Sequence, residues 1–124
     1  MRILDGEATL VRVFIGESDQ WRHRSLSLSI VERLRREGYS GATVFRGTAG
    51  FGARSVLHTT QILRLSEDLP VVIEVVEESN RIEDLLALLD EMVPEGLVTM
   101  EKVRIVKYSP GTRALTPEDT KGPT

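Results

Sequence analysis

The segment Arg46-Gly-Thr-Ala-Gly-Phe-Gly-Ala-Arg-Ser-Val-Leu-His58 carries three glycines, two arginines and a histidine directly after a strand-like run. Five of the chain's ten glycines (Gly38, Gly41, Gly47, Gly50 and Gly52) lie between residues 38 and 52. Glycine admits positive φ and lets a ligand approach the backbone closely. Arginine matches the geometry of phosphate oxygens better than any other side chain. A glycine-rich strand end beside arginine is therefore a candidate anion cradle of backbone N–H groups and guanidinium. The same residues also suit a long hairpin with a basic surface, and at this point both readings stand.

Other reactive groups are sparse. Cysteine is absent, which excludes disulfides, thiol catalysis and cysteine-ligated metals. The two histidines, His23 and His58, stand in no HxxxH or HExxH arrangement. His23 lies in Trp-Arg-His-Arg, where a solvated or capping role is expected. The acid pairs Glu67-Asp68, Glu77-Glu78 and Asp90-Glu91 read as solvated charges, or as favourable partners of a helix dipole. Arg22, Arg24, Arg33, Arg35 and Arg36 read as an exposed basic helix face. No nucleophile–base pair follows from spacing, and an enzyme is not expected.

These residues need elements to position them. Ala8 to Ile15 is β-branched and reads as a strand, with Val11, Val13 and Ile15 on one face. Arg22 to Glu37 reads as a helix with Leu26, Ile30, Val31 and Leu34 at helical spacing, capped by Ser18 or Asp19 and stopped by Gly38. Ala42 to Arg46 is a second strand, Thr59 to Leu65 a weaker alternating segment, and Pro70 to Glu77 the clearest strand. Ser79 or Asn80 caps a second helix bearing Ile82, Leu85, Leu86, Leu89 and Val93. Leu97 to Tyr108 is the last strand, and its switch of apolar parity between Met100 and Val103 predicts a bulge. From Ser109 to Thr124 the proline-bearing, apolar-poor tail is expected to be disordered.

The order β-α-β-β-α-β predicts an α+β, ferredoxin-like domain over residues 1–108, an antiparallel sheet with both helices on one face. Leu10 and Phe14 oppose Val11, Val13 and Ile15, and Val72 and Val76 oppose Val71, Ile73 and Val75. A sheet apolar on both faces with two helices to cover it implies oligomerisation. The 124 residues suit one domain, and 40% hydrophobic and 28% charged residues are ordinary for a globular chain. A net charge of −3 argues against general nucleic-acid binding. With no signal-like stretch at the N-terminus and no run long enough to span a membrane, a cytoplasmic protein is expected.

Several segments together resemble the PII signalling proteins, most closely the PII-like group called domain-of-unknown-function family 190. Gly41-Ala-Thr-Val44, then Gly50-Phe-Gly52 with Arg54 and His58, is similar to the second PII strand and the base of its long loop. Leu69-Pro-Val-Val-Ile-Glu-Val-Val76 is similar to the return strand, and Glu95-Gly96 stands where PII has a short phosphate-binding loop. The narrower group's phrases appear as Arg46 to Gly52 and Asp68 to Glu74.

The resemblance implies a homotrimer of ferredoxin-like subunits with an adenine nucleotide in the cleft between them. Under it Thr43 and Val76 lie near the adenine. Gly50, Phe51 and Gly52 shape the backbone at the ribose and phosphate. Arg54 reaches the phosphate, Gly96 gives a backbone N–H, and Lys107 takes the place of a C-terminal phosphate-binding arginine. Arg46 and Arg104 are further basic candidates. Ser55, His58 and Arg64 lie on the 52–70 loop, which would transmit the ligand state to a partner, by resemblance a membrane transporter or channel.

PII carries Gly-Asp-Gly-Lys where this chain reads Val-Pro-Glu-Gly-Leu, and Ser109 replaces a second arginine. Each lost cation–phosphate contact removes roughly 1.5–3 kcal/mol. AMP, ADP or cyclic AMP is therefore expected to compete well with ATP, and the metal requirement is open. The loop from Gly52 to Pro70 contains no tyrosine, so tyrosine modification there is excluded. The alternatives are a trimeric metal-binding or stress protein of the CutA type, with His23, His58 and the acid pairs as ligands, and a nucleotide-processing enzyme with His58 as acid or base.

Overall fold

A computed structural model describes residues 6–51 and 68–109. The weak strand expected at 59–65, and the tail beyond Ser109, lie outside them.

The elements in chain order are β1 (Gly6–Gly16), β2 (Gln20–Trp21), β3 (Arg24–Ser25), α1 (Leu26–Arg36), β4 (Thr43–Arg46), β5 (Pro70–Glu77), a 3-10 turn (Ser79–Arg81), α2 (Ile82–Met92) and β6 (Leu97–Ile105). The main sheet has the order β4-β5-β1-β6 with every pairing antiparallel. Strands β1 and β4 both run against β5 and so run parallel to each other, with α1 in the crossover. This is the predicted ferredoxin-like split βαβ arrangement.

Alternation in the two central strands sorts the faces. In the β1–β5 register, Val11, Val13 and Ile15 stand opposite Val75, Ile73 and Val71. All six are buried against Leu26, Ile30 and Leu34 of α1 and Leu85, Leu88, Leu89 and Met92 of α2. Leu88 and Met92 are buried, whereas Leu86 and Val93 only flank the core. The apolar stripe of α2 is therefore rotated from the one that the sequence alone suggests.

Three local expectations need correction. The first helix begins at Leu26, four residues later than expected, and Ser25 caps it by accepting a bond from the Leu28 N–H at 3.3 Å. The chain first makes a two-residue hairpin, β2–β3, whose central residues Arg22 and His23 have φ of 51° and 68°, the type I′ pattern. Asp19 instead accepts a bond from the Gly16 N–H, and Ser18 bonds Asp68. The second helix has no side-chain cap from Ser79 or Asn80, because these residues form the 3-10 turn that leads into it. Finally, β6 contains no bulge: its register against β1 runs unbroken from Leu97–Phe14 to Ile105–Gly6.

Gly38 does end α1 as predicted. It has φ +79°, its N–H bonds the Arg35 carbonyl and the Tyr39 N–H bonds the Leu34 carbonyl, which together make a Schellman motif. A Cβ at Gly38 would meet nothing within 4 Å, so alanine there tests the backbone conformation alone. Gly38→Ala is expected to cost about 1 kcal/mol, or roughly 4 °C in Tm, in thermal unfolding. An unchanged Tm would show that the left-handed residue is not needed.

Candidate functional site

One end of the sheet gathers the turn after β1, the end of β4 and the start of β5. The Glu17 N–H bonds the Leu69 carbonyl at 2.8 Å, and the Gly47 N–H bonds the Pro70 carbonyl at 2.7 Å. Asp68 accepts from both the N–H and the hydroxyl of Ser18, at 3.0 and 2.7 Å. Arg46 forms an ion pair with Glu17. A Cβ on Gly47 would lie 2.6 Å from Cγ of Pro70, so only glycine lets this backbone cross the proline ring. The glycine-rich segment is thus held against β5 by close backbone approach, with Arg46 and the exposed ring of Phe51 beside it.

The expected site residues divide into two groups. Thr43, Arg46, Gly50 and Phe51 belong to the β4 edge, with Thr43 opposite Glu74 in β5. Val76 lies two residues further along β5, half-buried on the face away from the helices. Gly96, Arg104 and Lys107 belong to the β6 edge. Gly96 sits at its start, where a Cβ would be 2.9 Å from the Phe14 carbonyl oxygen, and the exposed Lys107 follows its end. Strands β5 and β1 separate the two edges, so three strand spacings of about 4.8 Å put them roughly 14 Å apart. Gly52, Arg54, Ser55, His58 and Arg64 lie outside the described residues.

The sequence reading missed Glu17 and Ser18 as members of this end of the sheet. Their only signal is a set of polar turn residues after β1, and in sequence Ser18 looks like a helix cap. His23 is exposed at the tip of the β2–β3 hairpin. Among the described residues no group of three or more histidines and acids is placed to hold a metal. No helix among them is long and apolar enough to cross a membrane.

A polar groove of about 300 Å³ lies between the helices, lined by Arg33, Glu37, Tyr39, Arg81, Asp84 and Glu91 among others. Its cations are already engaged. Arg33 pairs with Glu37 and Glu91. Arg81 donates to the Glu37 and Gly38 carbonyls and lies 3.9 Å over the Tyr39 ring. Burial raises the Tyr39 hydroxyl above its ordinary pKa, while Arg81 opposes the rise. These contacts fasten α1 to α2.

The face of the sheet opposite the helices carries Leu10, Phe14, Val72, Val76, Phe45 and Leu97 around one ion cluster. Arg12 Nε donates to Glu74 at 2.9 Å and its terminal nitrogen donates to Glu101 at 2.6 Å. These bonds, Glu74's first, raise the Arg12 pKa further. Phe45 and Leu97 keep over half their surface exposed.

This architecture is that of PII-like proteins. CPII from Thiomonas intermedia K12, solved with ADP and bicarbonate, superposes with a TM-score of 0.57 over 82% of this chain and 90% of that one, at 14% identity. A putative PII-like signalling protein from Thermus thermophilus gives a TM-score of 0.55 over 83% and 94%, at 21% identity. At such identities the likeness establishes the fold. Residues 8–105 match the model of DUF190, described as Uncharacterized ACR, and the chain belongs to that family. Its relatives include a UPF0166 protein of Methanocaldococcus jannaschii, 34% identical over 82% of this chain and 94% of the relative. Another, from Aquifex aeolicus, is 31% identical over 78% of this chain and 91% of the relative.

Proposed function

We propose that this chain is a PII-like regulatory protein, not an enzyme, which binds an adenine nucleotide between neighbouring copies in a cytoplasmic homotrimer. The observation that carries the reading is the division of the candidate site between opposite edges of one sheet. Arg46, Gly50 and Phe51 on the β4 edge share one end of the sheet with Gly96 but stand three strand spacings from it, and Lys107 lies at the far end of β6, so one subunit does not gather these residues around one small ligand. A neighbouring copy set against the β4 edge would supply Gly96 or Lys107, which stand at opposite ends of β6, to the group around Arg46. The exposed apolar face offers the surface for such association.

The nucleotide class follows from the family resemblance and from ADP in the CPII structure. The lysine-free Val93-Pro-Glu-Gly-Leu97 turn favours AMP, ADP or cyclic AMP over ATP. Ligand binding would act on the 52–70 loop, including Ser55, His58 and Arg64, only through differential affinity for its states. The loop would then engage or release a membrane transporter or channel.

Isothermal titration calorimetry with AMP, ADP, ATP and cyclic AMP, with and without magnesium, tests the reading. The expected result is micromolar affinity for at least one, with about one site per chain and ATP no tighter than ADP. Absence of binding to all four would overturn it.

A further inference from the structure

We infer that Glu17, paired with Arg46, competes with a phosphate for that guanidinium and so sets how strongly the site takes an anion. The inference rests on the nucleotide reading above and adds a residue to it. Among the described residues, several donors at this end of the sheet are bound by the chain's own carboxylates. The Gly16 N–H is bound by Asp19 and the Ser18 N–H and hydroxyl by Asp68. The Arg46 guanidinium is bound by Glu17. Of these acids Glu17 alone meets a side chain that the family resemblance makes a basic candidate.

The two partners are held differently. Glu17 stands on a turn fixed by its own N–H to the Leu69 carbonyl and by the flanking bonds of Gly16 and Ser18. Its side chain is one-third exposed. Arg46 ends a four-residue edge strand and is about two-thirds exposed. A phosphate arriving from solvent can reach the guanidinium, but must displace Glu17 or accept its charge close by. Glu17 thereby lowers anion affinity, and Asp19 and Asp68 remain on the backbone amides as further negative charge near the site.

The test is calorimetric titration of ADP and AMP into wild type, Glu17→Gln, Arg46→Ala, the double variant, and Glu32→Gln. Glu32 of α1 pairs with Arg24 of β3 at 3.1 Å, so its change alters net charge equally but elsewhere. Glu17→Gln should bind roughly three- to tenfold tighter than wild type, as expected on removing an exposed pair and a like charge. Glu32→Gln should match wild type. In the Arg46→Ala background, adding Glu17→Gln should give no gain, because the coupling acts through Arg46. The Glu17 backbone bond survives the substitution, so the fold is retained. Wild-type binding with Glu17→Gln unchanged or weaker, or an equal gain without Arg46, would overturn the inference and leave the nucleotide reading in place. No binding by any of the five proteins would overturn both.

Discussion

Replacing Glu77 with alanine will lower the unfolding free energy by about 2–4 kcal/mol, several times the loss from removing any exposed charge. Glu77 is fully buried at the end of β5. One carboxylate oxygen accepts the Ser40 N–H at 3.0 Å, and the other accepts the Glu78 N–H at 3.1 Å and lies 3.4 Å from the Ser40 hydroxyl. Alanine deletes these acceptors and opens space beneath the segment joining α1 to β4. Backbone N–H groups left without an acceptor cost more than the bonds themselves contributed. Glu77→Gln keeps the shape and one carbonyl acceptor and should lose less than half as much. Urea unfolding of the three proteins decides it; a change under about 0.5 kcal/mol for Glu77→Ala would mean that the carboxylate is not a structural tie. The consequence reaches the site, because Ser40 leads into Thr43 and the β4 edge.

The second large effect is on assembly. If the chain assembles as the proposed trimer, Arg12→Ala should give monomers at micromolar concentration, seen by light scattering over a dilution series. Arg12 bridges Glu74 and Glu101 in the middle of the apolar sheet face. Without it, two carboxylates stand unpaired among Leu10, Phe14 and Val72, and association must bury them. Replacing all three charges with leucine should restore association, since an apolar patch of the same shape carries no desolvation cost. A monomeric wild type, or an unchanged trimer in Arg12→Ala, would overturn the role given to this face.

Much of this fold is written in local pattern. Strand β5 begins at Pro70 and ends at Glu77 as read, because a β-branched run between a proline and an acid favours a strand by local preference alone. Strand β1 and the stop at Gly38 are legible for the same kind of reason: each is set by residues within a few positions. The glycine-rich segment has a structural reason legible in its composition, since Gly47 and Gly50 approach Pro70 closely.

Tertiary structure decided the rest. The expected bulge in β6 assumes that one face of the strand is buried, but β6 is an edge strand with most residues exposed on both faces, so apolar parity there does not report register. The true start of α1 is hidden in the sequence because Arg22 and His23 adopt positive φ without glycine, which no propensity signals. The pairing of Glu17 with Arg46, and the separation of Arg46 from Gly96, depend on which strands lie side by side. Sequence determined the elements and the chemistry each carries, because those follow from neighbours along the chain. The strand order alone decided that Arg46 and Gly96 fall on opposite edges of the sheet, because contacts across a sheet join residues that are distant in sequence.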